Sequence, residues 1–165
     1  FALADAFARA PMPAGMTGVL VAGPLMPAAD RARLHRSAGR DVIVMDFLPE
    51  PAPLIDRAEV VVAMGGYNTV CELLAKDKRV LIVPRVAPRT EQLIRAQRLA
   101  HRGLVDVLHP SQSGSAALGS WLSAAGHGPR RPRGTIDLRG LSRLPALLTA
   151  ALTGSAAVEE VPCVA

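Results

Sequence analysis

The feature that most constrains the fold is the segment of residues 60–72, which reads VVVAMGGYNTVCE. It starts with a short, continuously apolar run rich in β-branched residues, which is typical of a strand buried on both faces. Gly65 and Gly66 end this run, and a helical pattern begins directly after them. The segment therefore predicts a strand, a tight glycine turn and a helix.

This succession of elements has two interpretations. A helix that begins at a glycine turn presents free backbone N–H groups and its positive end to an anion. Glycines there allow close approach, because no Cβ is in the way. Alternatively, the glycines form only a tight turn, and Thr69 with Glu72 forms a capping box. The segment alone leaves both interpretations open.

The rest of the chain predicts an α/β fold, a Rossmann-like doubly wound parallel sheet. Of its 165 residues, 50% are hydrophobic but only 3% are aromatic. Such a core of Ala, Val and Leu suits helices packed on a parallel sheet, and strand and helix patterns alternate along the chain. We predict further strands at 18–24, 42–48, 79–83 and 104–108, and helices at 1–10, 27–39, 54–58, 88–102, 113–125 and 138–152. One nucleotide-binding domain is expected over residues 1–154, with a tail over 155–165.

Charge and composition narrow the class of ligand. The formal net charge of +5 favours an anionic partner, namely nucleic acid, a membrane surface or a phosphorylated ligand. Aromatic residues are scarce and the arginines form no stripe, so a nucleic-acid partner is not expected. Cys71 and Cys163 form no disulfide framework, which fits a reducing cytosol. The four histidines lack metal-ligand spacing, and we predict no metal site.

Three strand ends carry distinctive residues, and ligands bind at the carboxyl ends of parallel strands. Phe47 and Leu48 end the second strand and offer an apolar wall and backbone groups to a base, or form an ordinary core edge. The third strand ends in residues 65–69, and the fourth is followed by residues 84–92. We expect all three loops to open at the same edge of the sheet.

Polar side chains in these loops suit a nucleotide diphosphate. Glu72, near the first turn of its helix, is placed to accept two ribose hydroxyls. Asn68 and Thr69 either donate to a phosphate or cap the helix. Gln92 lies in the first turns of the next helix and could reach the same pocket. Arg85 either neutralises phosphate charge or is solvated.

The segments 64–72, 83–85 and 91–96 resemble the C-terminal half of GT-B glycosyltransferases of family 28. That family includes the transferase that adds N-acetylglucosamine to the lipid-linked peptidoglycan precursor. The resemblance, which is to its bacterial predicted-glycosyltransferase branch, spans about residues 1–108. It implies a Rossmann-like domain that binds the nucleotide of a UDP-sugar.

The resemblance also implies roles for individual residues. The glutamate that holds the ribose falls on Glu72, and the glutamine near the donor sugar falls on Gln92. The phosphate-contacting turn falls on Gly66, Tyr67, Asn68 and Thr69, after Gly65, and the segment flanking uracil falls on Phe47 and Leu48. The chain departs from the family at Arg95, where the family has asparagine, and this leaves the donor sugar open.

The implied activity is hexosyl transfer, with N-acetylglucosamine as the expected sugar, from a UDP-sugar to a lipid-linked or small-molecule acceptor. No Asp-x-Asp motif occurs, and metal-independent direct displacement at the anomeric carbon, without a cofactor, is expected. The resemblance places the acceptor site and the catalytic base in an N-terminal half outside this chain. We therefore expect nucleotide binding with little turnover from these residues alone.

The expected location is the cytoplasm, with peripheral association at the inner face of the membrane as an option. Other functions remain open at this stage. A UDP-sugar epimerase or hydrolase would use the same fold and pocket, and a non-catalytic module would only scaffold a partner subunit. A lipid-surface adaptor would use the basic residues 130–133.

Overall fold

The computed structural model describes residues 1–126, 136–138 and 140–153. The chain forms two compact units, residues 1–132 and 133–165. The elements, in order, are α1 (Ala2–Ala8), β1 (Gly18–Val21), α2 (Ala28–Ser37), β2 (Val42–Met45), α3 (Ala52–Arg57), β3 (Val60–Ala63), α4 (Tyr67–Ala75), β4 (Arg79–Ile82), α5 (Glu91–His101), β5 (Asp106–Val107), a 3₁₀ turn (Pro110–Gln112), α6 (Ser115–Ala125) and α7 (Gly140–Thr153).

All the strand pairs in the described ranges are parallel. β1 pairs with β2 in a two-stranded sheet, and β3, β4 and β5 form a three-stranded sheet in that order. Helices connect the paired strands, as parallel pairing requires. The predicted α/β class with a parallel sheet is confirmed, although most strands are shorter than predicted and β5 has only two residues.

The prediction that β3 is buried on both faces is wrong. All four of its residues are only half-buried, whereas Val80, Leu81 and Ile82 of β4 are 1–2% exposed. The reason is the strand order, because β3 lies at one edge of its sheet and β4 is central. The continuously apolar run predicts the strand correctly but not its place in the sheet.

Helix α1 joins the two sheets. One buried cluster contains residues of α1, β4, α6 and the segments directly after α1 and β4, namely Ala6, Ala10, Leu81, Val83, Leu118 and Leu122. A second contains residues of α1, β1, α2 and β2, namely Ala8, Leu20, Leu34 and Val42. Phe7 and Met12 pack against both clusters. The two sheets therefore share one apolar core through α1 and the segment after it.

Helix α6 approaches this segment closely at Gly119. A Cβ on Gly119 would lie 2.6 Å from Cδ of Pro11, whose ring cannot rotate away. We expect Gly119→Ala to lower the free energy of unfolding by about 1–3 kcal/mol, because α6 must move to admit the methyl group. Urea unfolding would measure the change. Gly126→Ala is the control, since its Cβ would meet Met16 Cε at an ordinary 3.5 Å, and an equal loss in both variants would contradict the prediction.

The second unit contains α7, close to the predicted helix at 138–152. Its exposed leucines recur at helical spacing at 141, 144, 148 and 152. None of the helices in the described ranges is long and apolar enough to cross a membrane. The basic residues 130–133 and the predicted tail at 155–165 lie outside the described residues.

Candidate functional site

The turn between β3 and α4 requires glycine for two reasons. Gly65 has φ +82°, a left-handed conformation that side chains rarely adopt. It is also buried, and a Cβ on it would lie 2.8 Å from Cγ2 of Ile82 in the central strand. The predicted strand, glycine turn and helix are therefore observed, with the turn packed directly on the sheet.

The first turn of α4 has free backbone donors. Gly66 is the N-cap, no side chain caps the helix, and the first intrahelical bond runs from Val70 N to Gly66 O at 2.9 Å. The N–H groups of Tyr67, Asn68 and Thr69 therefore precede the helix's own hydrogen bonding. These three residues are exposed, and their N–H groups lie at the positive end of α4.

The capping-box alternative is wrong for this helix. Because Gly66 is the N-cap, Thr69 is the third helical residue and not the capping residue. Glu72 is the sixth helical residue and lies in the second turn, directly after the first. Its side chain is half-buried, and within the described part of the chain no group forms a hydrogen bond or ion pair with its carboxylate. Glu72 thus offers two acceptor oxygens to a ligand.

The loop after β4 is hydrogen-bonded to the start of α5. Val83 N donates to Ala63 O at 2.9 Å, which extends the β3–β4 pairing, and Pro84 is buried. Arg85 is exposed, and its backbone N donates to Oε1 of Gln92 at 3.1 Å. Gln92, the second residue of α5, therefore fixes this loop through its amide oxygen.

Arg95, one turn further along α5, connects the helix to the glycine turn. Its Nη1 donates to Gly65 O at 3.3 Å, and its guanidinium carbon lies 5.3 Å from the centre of the Tyr67 ring. Its Nη2 forms an ion pair with Glu91 on the same helix. The sequence marked Arg95 only as a departure from the family pattern, because a contact across thirty positions of the chain leaves no local signal.

Phe47 and Leu48 lie elsewhere, after β2 in the two-stranded sheet. Phe47 is 54% exposed, and the contacts that join the glycine turn to α5 do not extend to either residue. The preceding Asp46 is held on α2, with Oδ1 at 2.8 Å from His35 Nε2 and Oδ2 at 3.6 Å from Arg31 Nε. No local sequence pattern predicts these contacts of Asp46.

The structure thus joins four of the predicted site residues through α5, namely Gly65, Tyr67, Arg85 and Gln92. Gly66, Asn68, Thr69 and Glu72 follow on α4. Within the ranges that the structure describes, no group of three or more His, Cys, Asp or Glu side chains could hold a metal ion. The arrangement can bind an anion with backbone amides and accept hydroxyl donors on one carboxylate.

The chain is similar to glycosyltransferases of one family. Residues 19–118 match the model of the "Glycosyltransferase family 28 C-terminal domain". The UDP-N-acetylglucosamine--N-acetylmuramyl-(pentapeptide) pyrophosphoryl-undecaprenol N-acetylglucosamine transferase of Streptococcus sanguinis is 44% identical over 62 residues, which are 36% of this chain and 17% of that protein. The transferase of the same name from Streptococcus mutans is 40% identical over 67 residues, 39% of this chain and 19% of that protein.

These matched stretches span less than a fifth of the curated relatives. Among solved structures, that of the glycotransferase of kitacinnamycin superposes with a TM-score of 0.52 at 17% identity. The superposition covers 67% of this chain and 27% of that one. At this identity the likeness concerns the fold alone.

Proposed function

The chain belongs to the family of glycosyltransferase family 28 C-terminal domains, and from that premise we propose that it binds the UDP-sugar donor of a hexosyltransferase. The observation that carries the proposal is the start of α4. There the buried Gly65 leads into a helix that no side chain caps and whose first three residues are exposed. Backbone donors at a positive helix end are suited to a diphosphate.

In the proposed mechanism the diphosphate is the leaving group. Negative charge develops on it as the bond to the anomeric carbon breaks. The amides at Tyr67, Asn68 and Thr69 and the dipole of α4 would stabilise that charge, with no movement needed during the reaction. Arg85, exposed in the neighbouring loop, would add positive charge at the same edge. The proposed transfer is a direct displacement that uses neither a metal nor a cofactor.

The ribose is proposed to bind Glu72. Its half-buried carboxylate can accept both ribose hydroxyls, one on each oxygen. Phe47 and Leu48, which follow β2, are proposed to flank the uracil. Gln92 is proposed to meet the sugar. Because its Oε1 already accepts from Arg85 N, its amide nitrogen is the group left to donate to sugar oxygens.

N-acetylglucosamine is the proposed sugar, and a lipid-linked molecule the proposed acceptor. The support is the name of the two streptococcal transferases, which specifies a UDP-N-acetylglucosamine donor and a pyrophosphoryl-undecaprenol acceptor. An acceptor of that kind is consistent with a cytoplasmic protein that associates peripherally with the inner face of the membrane. The acceptor site and the catalytic base are proposed to be contributed by residues outside this chain.

Calorimetric titration with UDP tests the proposal, with Glu72→Gln as the variant. The change keeps the shape of the side chain, but it removes the negative charge and replaces one of the two acceptor oxygens with an NH2 donor. We expect UDP to bind about tenfold or more weakly, because hydrogen bonds to a charged group contribute about 1.5–3 kcal/mol. Thermal shifts with UDP, ADP, GDP and dTDP should show selectivity for uridine, and UDP at about 100 times its Kd should stabilise the fold by about 2.7 kcal/mol.

Glu59→Gln is the matched control, because Glu59 is an exposed glutamate just before β3. Its UDP affinity should equal that of the unaltered chain within about twofold, since removal of a solvated charge has little effect. Absence of UDP binding by the unaltered chain would contradict the proposed function. If Glu72→Gln and Glu59→Gln bind UDP with equal affinity, Glu72 is not part of the binding site.

A further inference from the structure

The structure assigns a role to Arg95 that the family pattern does not predict. We infer that Arg95 is a positioning residue for the diphosphate, one that holds the glycine turn in place and adds positive charge beside it. The inference rests on the proposed function, because it names a further residue of the same anion site. Arg95 stands at the position where the family resemblance implies asparagine.

The contacts of Arg95 reach both sides of the glycine turn. Nη1 donates to the carbonyl of Gly65, the residue with φ +82°, and the guanidinium lies over the ring of Tyr67, the first residue of α4. A peptide unit is planar, so fixing the Gly65 carbonyl also fixes the direction of the Gly66 N–H. Arg95 thus restrains the backbone on which the proposed anion-binding amides lie.

The charge of Arg95 remains available to a ligand. Its side chain is 24% exposed, and its ion-pair partner Glu91 is 68% exposed. An ion pair this accessible to solvent is weak and exchanges readily with a stronger anion. A guanidinium has five N–H donors, of which the bonds to Gly65 and Glu91 occupy two. A diphosphate on the first turn of α4 would therefore meet a cation already oriented beside the turn.

If Arg95 only stabilised the fold, its replacement would weaken the binding of UDP and of uridine equally. If Arg95 positions the diphosphate, its replacement should weaken only the binding of ligands that carry phosphates. The test compares UDP with uridine by calorimetry on the 165-residue chain, with Arg95→Met and Arg95→Lys as variants. Arg98→Met is the control, because Arg98 is exposed on the same helix.

We expect Arg95→Met to weaken UDP binding about tenfold or more, since it removes a charged donor, and to change uridine affinity less than about twofold. Arg95→Lys keeps the charge without the planar fork and should recover part of the loss. Glu91→Gln removes the competing carboxylate and should strengthen UDP binding about two- to threefold. Arg98→Met should match the unaltered chain.

A second measurement needs no nucleotide. Tyr67 is the only tyrosine in the chain, so selective ring labelling gives one NMR signal. Arg95→Met should shift that signal, because the guanidinium no longer lies over the ring, and Arg98→Met should leave it unchanged. The signal in the unaltered chain should move again on addition of UDP.

The outcomes separate the two proposals. If the unaltered chain binds UDP but Arg95→Met weakens UDP and uridine equally, or leaves both unchanged, the role of Arg95 is overturned and the proposed function stands. If the unaltered chain does not bind UDP, the proposed function is overturned and the role of Arg95 falls with it. An unchanged Tyr67 signal in Arg95→Met would overturn the restraint of the glycine turn, whatever the affinities.

Discussion

Replacing Gly65 with alanine is expected to lower the free energy of unfolding by about 2–4 kcal/mol. Two effects add. An L-residue in the left-handed conformation at φ +82° costs about 1–2 kcal/mol. The new Cβ would also lie 2.8 Å from Cγ2 of Ile82, which is 1% exposed in the central strand and has no room to move aside. Urea unfolding of the two proteins measures the difference.

Gly103→Ala separates these two effects. Gly103 also has a positive φ of +70°, but nothing lies within 4 Å of a Cβ built there. Its replacement should therefore show only the conformational cost of about 1–2 kcal/mol. A Gly65→Ala variant no less stable than Gly103→Ala would contradict the steric part of the prediction. We also expect Gly65→Ala to weaken UDP binding, because the turn must shift to relieve the clash.

Truncating Leu34 to alanine is expected to cost about 2–5 kcal/mol of unfolding free energy. Leu34 is 0% exposed and connects α2 to the cluster of Ala8, Leu20 and Val42. Removal of its branched end leaves a cavity in a small core that cannot collapse freely. Leu25→Ala is the control, because Leu25 is 95% exposed after β1 and its loss should change stability by less than about 0.5 kcal/mol.

The same variant tests whether the two sheets unfold together. Trp121 is the only tryptophan and packs against the other cluster, the one that contains β4 residues. Because Phe7 and Met12 contact both clusters, Leu34→Ala should shift the urea midpoint seen by Trp121 fluorescence as far as the midpoint seen by circular dichroism. A Trp121 midpoint that stays in place would show that the two sheets unfold independently.

The sequence predicted those parts of the fold that depend on local patterns. The apolar run at 60–63, the two glycines and the start of α4 were all readable, because each follows from residues close together in the chain. The burial of β3 was not, because exposure depends on which strands flank it, and strand order is set by pairings between distant segments. Likewise, only two of the five residues predicted as a strand at 104–108 are paired with β4.

In the candidate site, too, local sequence patterns predict some features, whereas others depend on contacts between distant segments. The residues of the glycine turn are marked by their own type and order, and α4 begins directly after them as predicted. The turn that Glu72 occupies depends on which residue caps the helix, and with Gly66 as the N-cap Glu72 lies in the second turn. The contacts of Arg95 with Gly65 and Tyr67 join separate elements and could be found only in the structure.

The absence of a side-chain cap on α4 has a consequence for how such a site changes over generations. The amides proposed to hold the diphosphate belong to the main chain, and every amino acid except proline provides the same one. The side chains at Tyr67, Asn68 and Thr69 are exposed, so most codon changes there would leave those amides in place. Substitutions there would change the exposed surface around the proposed diphosphate site while its main-chain donors persist. A site of this kind can accumulate changes in its surroundings without passing through forms that lack those donors.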